Sequence, residues 1–331
     1  MTLRRKQGGL TTYNEKQTMK KILIILLAAL SFFELKAQDA KVTSIINFTG
    51  LIDKYPIEMK LEMNQKNDSI AGEYYYKKNG NTEKIILEGK LIDGELNLHE
   101  STYNIAKRKY ENTGKFRLNY IDQIYLSGSW QKPGKDAAYL TVKLTARENL
   151  KAFNPSNYVF QYARNRAKLD NLPADAQYYF NLVLLKVFVN KSQRWIFTDF
   201  HDVFMKEAEV LLEDLNFDGY LDIKIPIYYP GVAKGDYSYL YFIYSPKTRG
   251  FTQSKQLNEL GVIFFDAVKK EAQTIDADGS GNEGTQYYRW QNGKLFLMKE
   301  ERVYENDSYT HFTYYKIENG KSVLVKTEKK K

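Results

Sequence analysis

Apolar and polar residues alternate with a period of two along most of this chain, and turn residues separate the alternating runs. Helical spacing is nearly absent, so the pattern predicts an all-β, antiparallel protein. Eight short strands are expected first, at Val42–Leu51, Ile57–Met63, Ser69–Lys77, Lys84–Leu91, Glu95–His99, Gly114–Tyr120, Ile124–Gln131 and Ala138–Leu144. Such close spacing indicates an up-and-down meander that is barrel-like, closed or nearly closed.

Three of these runs share a weak internal repeat, in which an apolar residue stands two positions before a glycine. The glycines are Gly72, Gly89 and Gly128, and an aromatic or apolar residue follows each of them two positions later. Glycine inside a strand marks a kink or a close approach of backbones. Its repetition favours strands that bend around a small barrel.

The chain divides into five expected segments. Residues 1–37 are an upstream extension and a signal peptide, 38–150 the barrel-like domain, and 151–177 a junction marked by Asn154-Pro155 and Leu172-Pro173. Residues 178–326 are a second antiparallel domain, propeller-like or a sandwich, and residues 327–331 are a basic, solvated tail. The expected strands of the second domain are Phe180–Val189, Trp195–Thr198, Glu209–Glu213, Ile223–Tyr229, Ser238–Tyr244, Thr285–Gln291, Lys294–Glu301 and Tyr309–Ile317, with one helical segment at Ser254–Leu260.

The amino terminus carries the three parts of a secretory signal peptide. The basic start Met19-Lys-Lys21 precedes an apolar run from Ile22 to Phe33, and Ala37-Gln38 is the expected cleavage site. Twelve apolar residues are too few to span a bilayer, which takes about 20. We therefore expect Met19 to be the true start and the mature protein to be periplasmic or secreted, with no transmembrane anchor after cleavage; a signal anchor that is never cleaved is the alternative.

Charge and cysteine content exclude some classes of protein. The formal net charge is +9, but residues 1–37 contribute +5 of it, which leaves 42 basic and 38 acidic residues. The chain has no basic helix and no alternation of basic and aromatic residues, so we do not expect a nucleic-acid partner. The chain has no Cys, so disulfides and a cysteine-linked lipid anchor are excluded. The 27 tyrosines suit strands and also binding faces for a macromolecule.

The stretch from residue 214 to 222, the 214–222 loop, reads as a calcium loop between two strands. Hard cations such as calcium take six to eight oxygen ligands, and three carboxylates match their charge. Gly219 stands where the chain turns sharply. The expected ligands are Asp214, Asn216, Asp218, the Tyr220 carbonyl and Asp222.

This loop departs from an EF-hand. The twelfth position, where an EF-hand has a bidentate Glu, is Ile225 here. The flanking runs alternate as strands do, so the remaining ligands must come from elsewhere in the fold or from water. A metal-free hairpin rich in Asn and Asp is the alternative, because these residues also favour turns.

No other motif identifies a reaction. A second acidic loop, 276–283, has glycines between its oxygen residues and is expected to be a flexible hairpin loop. Asp199 and His201 are expected in a polar turn, because no two-histidine zinc spacing is present. The chain has no cysteine nucleophile and none of the motifs GxSxG, GxGxxG or P-loop. Neighbours Glu300 and Glu301 face opposite sides of a strand, which argues against a glycosidase pair.

The stretch Leu212-Glu-Asp214-Leu-Asn216-Phe-Asp218-Gly219-Tyr220-Leu-Asp222, followed by Tyr239-Leu-Tyr241-Phe-Ile-Tyr244 and Phe251, resembles a family of secreted bacterial proteins. Their loop is similar to the FG-GAP calcium loop of integrins. The resemblance covers roughly residues 178–305. It implies a β-propeller-like fold with calcium held by Asp214, Asn216, Asp218, Tyr220 and Asp222. One branch of this family consists of periplasmic inhibitors of lysozyme-like toxins. The leader and composition also resemble exported proteins of Bacteroidetes.

The expected function is therefore an exported, non-catalytic, calcium-stabilised β protein that binds a macromolecular partner. A lysozyme-type enzyme or a cell-wall glycan is the expected partner. Two alternatives are an envelope glycoside hydrolase, which requires a deep cleft with two facing carboxylates, and a lipocalin-like carrier of a small apolar ligand, which requires an empty barrel lumen.

Overall fold

In a computed structural model, the structure describes residues 37–65, 68–120, 123–134, 137–166, 179–229 and 237–331. The expected signal peptide lies outside the described residues except for Ala37. Strands dominate, which confirms the all-β class. A six-residue α-helix, α1 (Lys255–Leu260), begins after Ser254, whose hydroxyl accepts a hydrogen bond from the Leu257 amide. No helix of the described residues is long and apolar enough to cross a membrane.

A closed barrel of eight antiparallel strands forms the first part of the fold. The strands, which follow a short β1 (Gln38–Asp39), are β2 (Lys41–Ile52), β3 (Tyr55–Asn64), β4 (Ser69–Tyr76), β5 (Ile85–Ile92), β6 (Glu95–Asn104), β7 (Lys109–Tyr120), β8 (Tyr125–Gln131) and β9 (Tyr139–Ala146). Each pairs with the next, and β9 pairs with β2 from Phe48↔Ala146 to Ile52↔Val142. The predicted meander is confirmed, and it closes.

The glycine repeat explains how so small a barrel closes. A side chain on Gly89 would place its Cβ 2.0 Å from the carbonyl oxygen of Asn97 on the neighbouring strand. A Cβ built on Gly128 would lie 2.0 Å from the carbonyl oxygen of Arg117, and one on Gly72 would lie 2.4 Å from that of Lys60. The strands therefore coil tightly where only glycine fits. The lumen is filled by buried apolar side chains, among them Phe48, Leu87, Leu98, Phe116, Leu118, Val142 and Leu144.

The second part of the fold begins with eight further strands. They are β10 (Tyr158–Arg166), β11 (Phe180–Val189), β12 (Ser192–Phe197), β13 (Phe204–Met205), β14 (Glu209–Glu213), β15 (Asp222–Tyr228), β16 (Tyr237–Ser245) and β17 (Gly250–Gln253). Before its pairing with β9 begins, β2 pairs with β3 on one edge and runs parallel to β14 on the other, from Lys41↔Glu209 to Ser44↔Leu212, while β1 pairs with β10. The barrel and the second sheet thus share one hydrogen-bonded network and one hydrophobic core.

A six-stranded antiparallel meander ends the chain. Its strands are β18 (Phe264–Asp266), β19 (Glu271–Ala277), β20 (Glu283–Gln291), β21 (Lys294–Val303), β22 (Thr310–Glu318) and β23 (Lys321–Lys330). A small apolar cluster, which includes Leu215, Tyr241, Leu257 and Leu295, joins the meander and α1 to β16 and the 214–222 loop. The second antiparallel array is confirmed, and its propeller-like arrangement stays a prediction.

Two segments differ from what the sequence indicates. The expected junction contains β10, in which Phe160, Tyr162 and Ala163 are buried against the core. Asn154-Pro155 precedes this strand and does not prevent it, and Leu172-Pro173 lies outside the described residues. The expected tail belongs to β23, where Thr327 and Lys330 pair with β22. Backbone pairing with a long neighbour holds these charged residues in a strand.

Candidate functional site

The 214–222 loop connects β14 to β15, whose last pair is Glu213↔Asp222. Two residues reverse the chain here, because Phe217 has a φ of 61° and Gly219 a φ of 91°. Glycine adopts this conformation without strain, whereas for Phe217 it is rare. The surrounding hydrogen bonds hold this turn.

The side chains of Asp214, Asn216 and Asp218 fold back on the turn. The Asp214 carboxylate accepts hydrogen bonds from the amides of Asp218 (3.1 Å) and Gly219 (2.8 Å). Asn216 Oδ1 accepts from the Asp218 amide at 3.0 Å, and its Nδ2 donates to Asp218 Oδ2 at 3.0 Å. Asp218 Oδ1 accepts from the Tyr220 amide at 2.9 Å. The three residues predicted as ligands at alternate positions, Asp214, Asn216 and Asp218, therefore meet at one turn.

Asp222 plays a different part from the other three residues. Its side chain is completely buried. One carboxylate oxygen accepts from the Leu215 amide at 2.9 Å, and the other accepts from the Tyr244 amide on β16 at 2.7 Å. Asp222 thus fastens the beginning of the loop to a neighbouring strand, and its role as a ligand stays a prediction.

Three further contacts tie the loop to distant parts of the chain. Gly219 carbonyl oxygen accepts from the Asn149 amide, just after the barrel, at 2.7 Å. Leu215 carbonyl oxygen accepts from Trp290 Nε1 in the meander at 2.9 Å. The ring of Tyr220 lies 5.6 Å from that of Tyr244. The loop is a joint between the barrel, the second sheet and the meander, and the sequence pattern does not indicate these partners because they lie 24 to 75 residues away.

Buried carboxylates surround this joint. Burial raises the pKa of Asp214 to about 6, with repulsion from Asp218 adding to it, and burial raises the pKa of Asp222 well above its ordinary value. Glu148 is also buried, and desolvation, together with repulsion from Asp214, raises its pKa to about 7. Its carboxylate accepts from the amide of Asn47 (3.0 Å) and from Asn47 Nδ2 (2.8 Å). No sequence pattern indicates that Glu148 is buried beside Asp214.

The loop residues fit a hard cation in charge and in donor type. Within the described residues, no Lys, Arg or His forms an ion pair with Asp214, Asp218 or Asp222, so their charge is not balanced by a protein cation. No three His, Cys, Asp or Glu side chains in the described part of the chain converge on one ion position. A cation here would need the amide oxygen of Asn216 and the carbonyl of Tyr220, two oxygen donors suited to calcium.

The second acidic loop is exposed, and within it the Asp278 side chain bonds only to its own loop. Asp278 lies between β19 and β20, fully exposed, and its carboxylate accepts from Asn282 Nδ2 (2.6 Å), the Ser280 amide (2.8 Å) and the Ser280 hydroxyl (2.7 Å). These hydrogen bonds lower the pKa of Asp278. Unlike Asp214, this residue is not buried and binds no distant part of the fold. Asp199 and His201 form a similarly exposed turn, in which their side chains lie 2.9 Å apart.

A groove of about 650 Å³, which we call the interdomain groove, lies between the barrel wall and β18. Its walls carry carboxylates and lysines together with the apolar residues Phe264 and Val268. Two of the carboxylates, Glu58 and Glu213, are buried. The groove is the place where facing carboxylates of an enzyme would be sought.

Both buried carboxylates of the groove are neutralised by cations. Glu58 pairs with Arg147 at 2.7 Å and with Lys77 at 2.6 Å, and these bonds outweigh burial and lower its pKa. Glu213 pairs with Lys60 (3.0 Å) and Lys224 (2.8 Å), which outweigh burial and lower its pKa to about 2. Neither carboxylate holds a proton at neutral pH, whereas glycoside hydrolysis requires one carboxylic acid that does.

Comparisons with known proteins do not show which family the chain belongs to. No protein-family model matches it, and no curated protein matches it. Among solved structures, a type IV secretion system related protein of Xanthomonas is 12% identical, with a TM-score of 0.38 over 51% of this chain and 90% of that chain. A protein from Lactobacillus plantarum is 10% identical, with a TM-score of 0.22 over 88% of this chain and 96% of that chain. At these TM-scores, neither likeness enters the argument.

Proposed function

We propose that this chain is an exported, non-catalytic β protein that calcium stabilises and that binds a macromolecular partner in the envelope. The observation that carries the proposal is the 214–222 loop. Asp214 and Asp222 are buried and Asp218 is exposed, none of them forms an ion pair with a Lys, Arg or His of the described residues, and the same loop joins three parts of the fold. A calcium ion there would balance the carboxylates and stiffen the joint.

In this proposal, Asp214, Asn216 and Asp218 hold the ion with side-chain oxygens, and Tyr220 offers its carbonyl. Asp222 is the fifth predicted member, directly or through water. The chain's own contribution is to place these groups: Gly219 and Phe217 turn the backbone, and Asp222 fixes the loop to β16. The propeller-like arrangement of the second domain, implied by the resemblance, belongs to the same proposal.

The proposed partner is a lysozyme-type enzyme or a cell-wall glycan. Support comes from the family resemblance of the loop and from exposed tyrosines, such as Tyr229 and Tyr237 at the ends of β15 and β16. Tyrosine side chains offer large contact area with little loss of conformational entropy. The proposed partner and the proposed periplasmic or secreted location both rest on the sequence signals described above.

The two alternatives find less support. Glu58 and Glu213 of the interdomain groove are ion-paired with lowered pKa values, which favours binding over hydrolysis. The barrel lumen is packed with side chains, which favours a structural barrel over a carrier of small apolar ligands.

A direct test measures lysozyme activity on peptidoglycan with increasing amounts of this protein, in calcium and in chelator. We expect inhibition that requires calcium, or sedimentation with peptidoglycan if the glycan is the partner. Asp218→Ala should lose the effect, and Asp278→Ala in the exposed second acidic loop should keep it. Hydrolysis of peptidoglycan by the protein itself would favour the hydrolase, and the absence of both inhibition and sedimentation would contradict the proposal.

A further inference from the structure

The hairpin of β6 and β7 projects from one end of the barrel as a two-stranded arm. β5 stops pairing with β6 at Ser101, and β8 stops pairing with β7 at Lys115. Beyond these points the two strands pair with each other alone, up to Asn104↔Lys109. The four strand residues from Ser101 to Asn104 extend the arm by roughly 13 Å, at about 3.3 Å per residue.

The base of the arm is fixed by a buried polar cluster. Glu100 is buried and accepts hydrogen bonds from the Tyr74 hydroxyl (2.6 Å) and from Trp130 Nε1 (2.7 Å). A β-bulge follows directly, between Glu100 and Ser101. Gly114 lies opposite, where a Cβ would come within 2.5 Å of the Trp130 nitrogen. Bulges redirect strands, so this cluster sets the direction of the arm.

The tip of the arm exposes apolar and aromatic side chains. Ile105 is 83% exposed, which is unusual for a large aliphatic residue. Tyr103 and Tyr110, 51% and 61% exposed, face each other across the strands with their ring centroids 5.3 Å apart. Burial of this surface on a partner would remove apolar area from water.

Basic residues surround the apolar tip. Lys107, Arg108 and Lys109 form the turn and the start of β7, with Glu111 as the acidic residue that pairs with the two lysines. Strand direction alternates, so the turn at 53–54, the segment 77–84, the residues 132–134 after β8 and the start of β9 lie at this same end. These segments add exposed basic and aromatic residues, namely Lys54, Tyr55, Lys78, Lys132 and Tyr139. The exposed acidic residues among them are Asp53 and Glu83.

We propose that this end of the barrel, the arm end, docks on an anionic lipid surface. The surface projects and is not concave, so it fits a flat bilayer better than a ligand. Ile105 at the tip would enter the acyl boundary, Tyr103 and Tyr110 would lie among the headgroups, and the surrounding lysines and Arg108 would contact lipid phosphates. With one inserted side chain, binding is reversible and depends on salt.

The test is co-sedimentation of the exported protein, purified without detergent, with vesicles of phosphatidylcholine or of phosphatidylcholine with phosphatidylglycerol. We expect binding to the anionic vesicles that falls with salt. Lys54→Gln with Lys132→Gln should lower the partition coefficient about thirtyfold, as expected for two basic side chains at an anionic surface. Ile105→Asn should also lower it at unchanged charge.

Matched controls lie on the meander, far along the chain from the arm end. Lys294→Gln with Lys321→Gln removes the same charge, and Leu324→Asn removes an exposed aliphatic side chain; both should bind as the wild type does. Equal loss in these controls, or equal binding to neutral vesicles, would overturn the assignment. An undiminished Ile105→Asn variant would reduce the surface to one that attracts any polyanion, and the lipid proposal would fail. Circular dichroism of each variant shows that it is folded.

Discussion

Single carboxylates of this protein respond in opposite directions to their surroundings. In the interdomain groove, Glu213 lies between Lys60 and Lys224 and has a lowered pKa. Asp214 in the 214–222 loop and Glu148 just after the barrel are buried, form no ion pair within the described part of the chain, and have raised pKa values. The first arrangement stabilises the fold at neutral pH, and the second destabilises it until a cation is supplied.

The first prediction concerns Glu148. Its pKa rises from 4.5 to about 7 on folding, so the folded state holds a proton that the unfolded state has lost. In chelator, the wild type should therefore lose stability relative to Glu148→Gln as pH rises from about 4.5 to 7, by about 3 kcal/mol. Urea unfolding across this range measures it.

The control for that experiment is Glu88→Gln, a change on an exposed part of β5. Its stability should follow the wild type at every pH. A constant difference between wild type and Glu148→Gln, independent of pH, would show that Glu148 is not protonated in the folded protein.

At the scale of elements, the strand glycines decide whether the barrel closes. A methyl group on Gly89 would collide with the Asn97 backbone, which cannot move aside as a side chain would. We expect Gly89→Ala to destabilise the protein by about 2 kcal/mol, in the range of overpacked cores. Glu88→Ala, the neighbour that points outward, should change stability little, and denaturant unfolding compares the two. Equal effects would mean that the strands are less tightly coiled than described.

Most strands could be predicted because their information is local. The ends of β11 (Phe180–Val189) and of β14 (Glu209–Glu213) follow from alternation and flanking turns alone. The local pattern does not predict β10 and β23, because a proline precedes β10 and lysines crowd the end of β23. The pairing of β23 with β22 across the turn Asn319-Gly320 nevertheless holds these lysines in a strand. The parallel pairing of β2 with β14 is a contact over more than 160 residues, and no local pattern indicates it.

The loop shows the same division. Its turn and oxygen-bearing residues are visible in the sequence, because Asp214, Asn216 and Asp218 are spaced for one turn. The anchoring contacts of Asp222 to Tyr244, and of Leu215 to Trp290, depend on tertiary packing. Burial also decides which acidic loop matters: 276–283 resembles 214–222 in composition but lies exposed.

For the whole molecule, a buried ion chain joins the barrel to the second sheet. Lys60 on β3 and Lys224 on β15 both bind Glu213 on β14. Removing one member leaves buried charges unpaired, so Glu213→Gln should cost about 3 kcal/mol at pH 7. Because its pKa is lowered to about 2, the stabilisation should be lost as pH falls from about 4.5 to 2, where wild type and variant converge.

Glu209→Gln provides the control, because Glu209 makes a half-exposed pair with Lys41 at 3.4 Å. Such pairs contribute little, and this variant should remain close to the wild type in denaturant unfolding. A Glu213→Gln protein as stable as Glu209→Gln would mean that the ion chain does not hold the two parts together.

The central claim is that calcium at the 214–222 loop stabilises the joint of the fold. The measurement is thermal melting of wild type, Asp218→Ala and Asp278→Ala, each in calcium and in chelator. Calcium at 100-fold excess over its dissociation constant should stabilise the wild type by about 2.7 kcal/mol. Asp218→Ala should lose this increment, Asp278→Ala should keep most of it, and magnesium should substitute poorly. A wild-type melting temperature that is the same in calcium and in chelator would contradict the account and leave the loop as a metal-free turn.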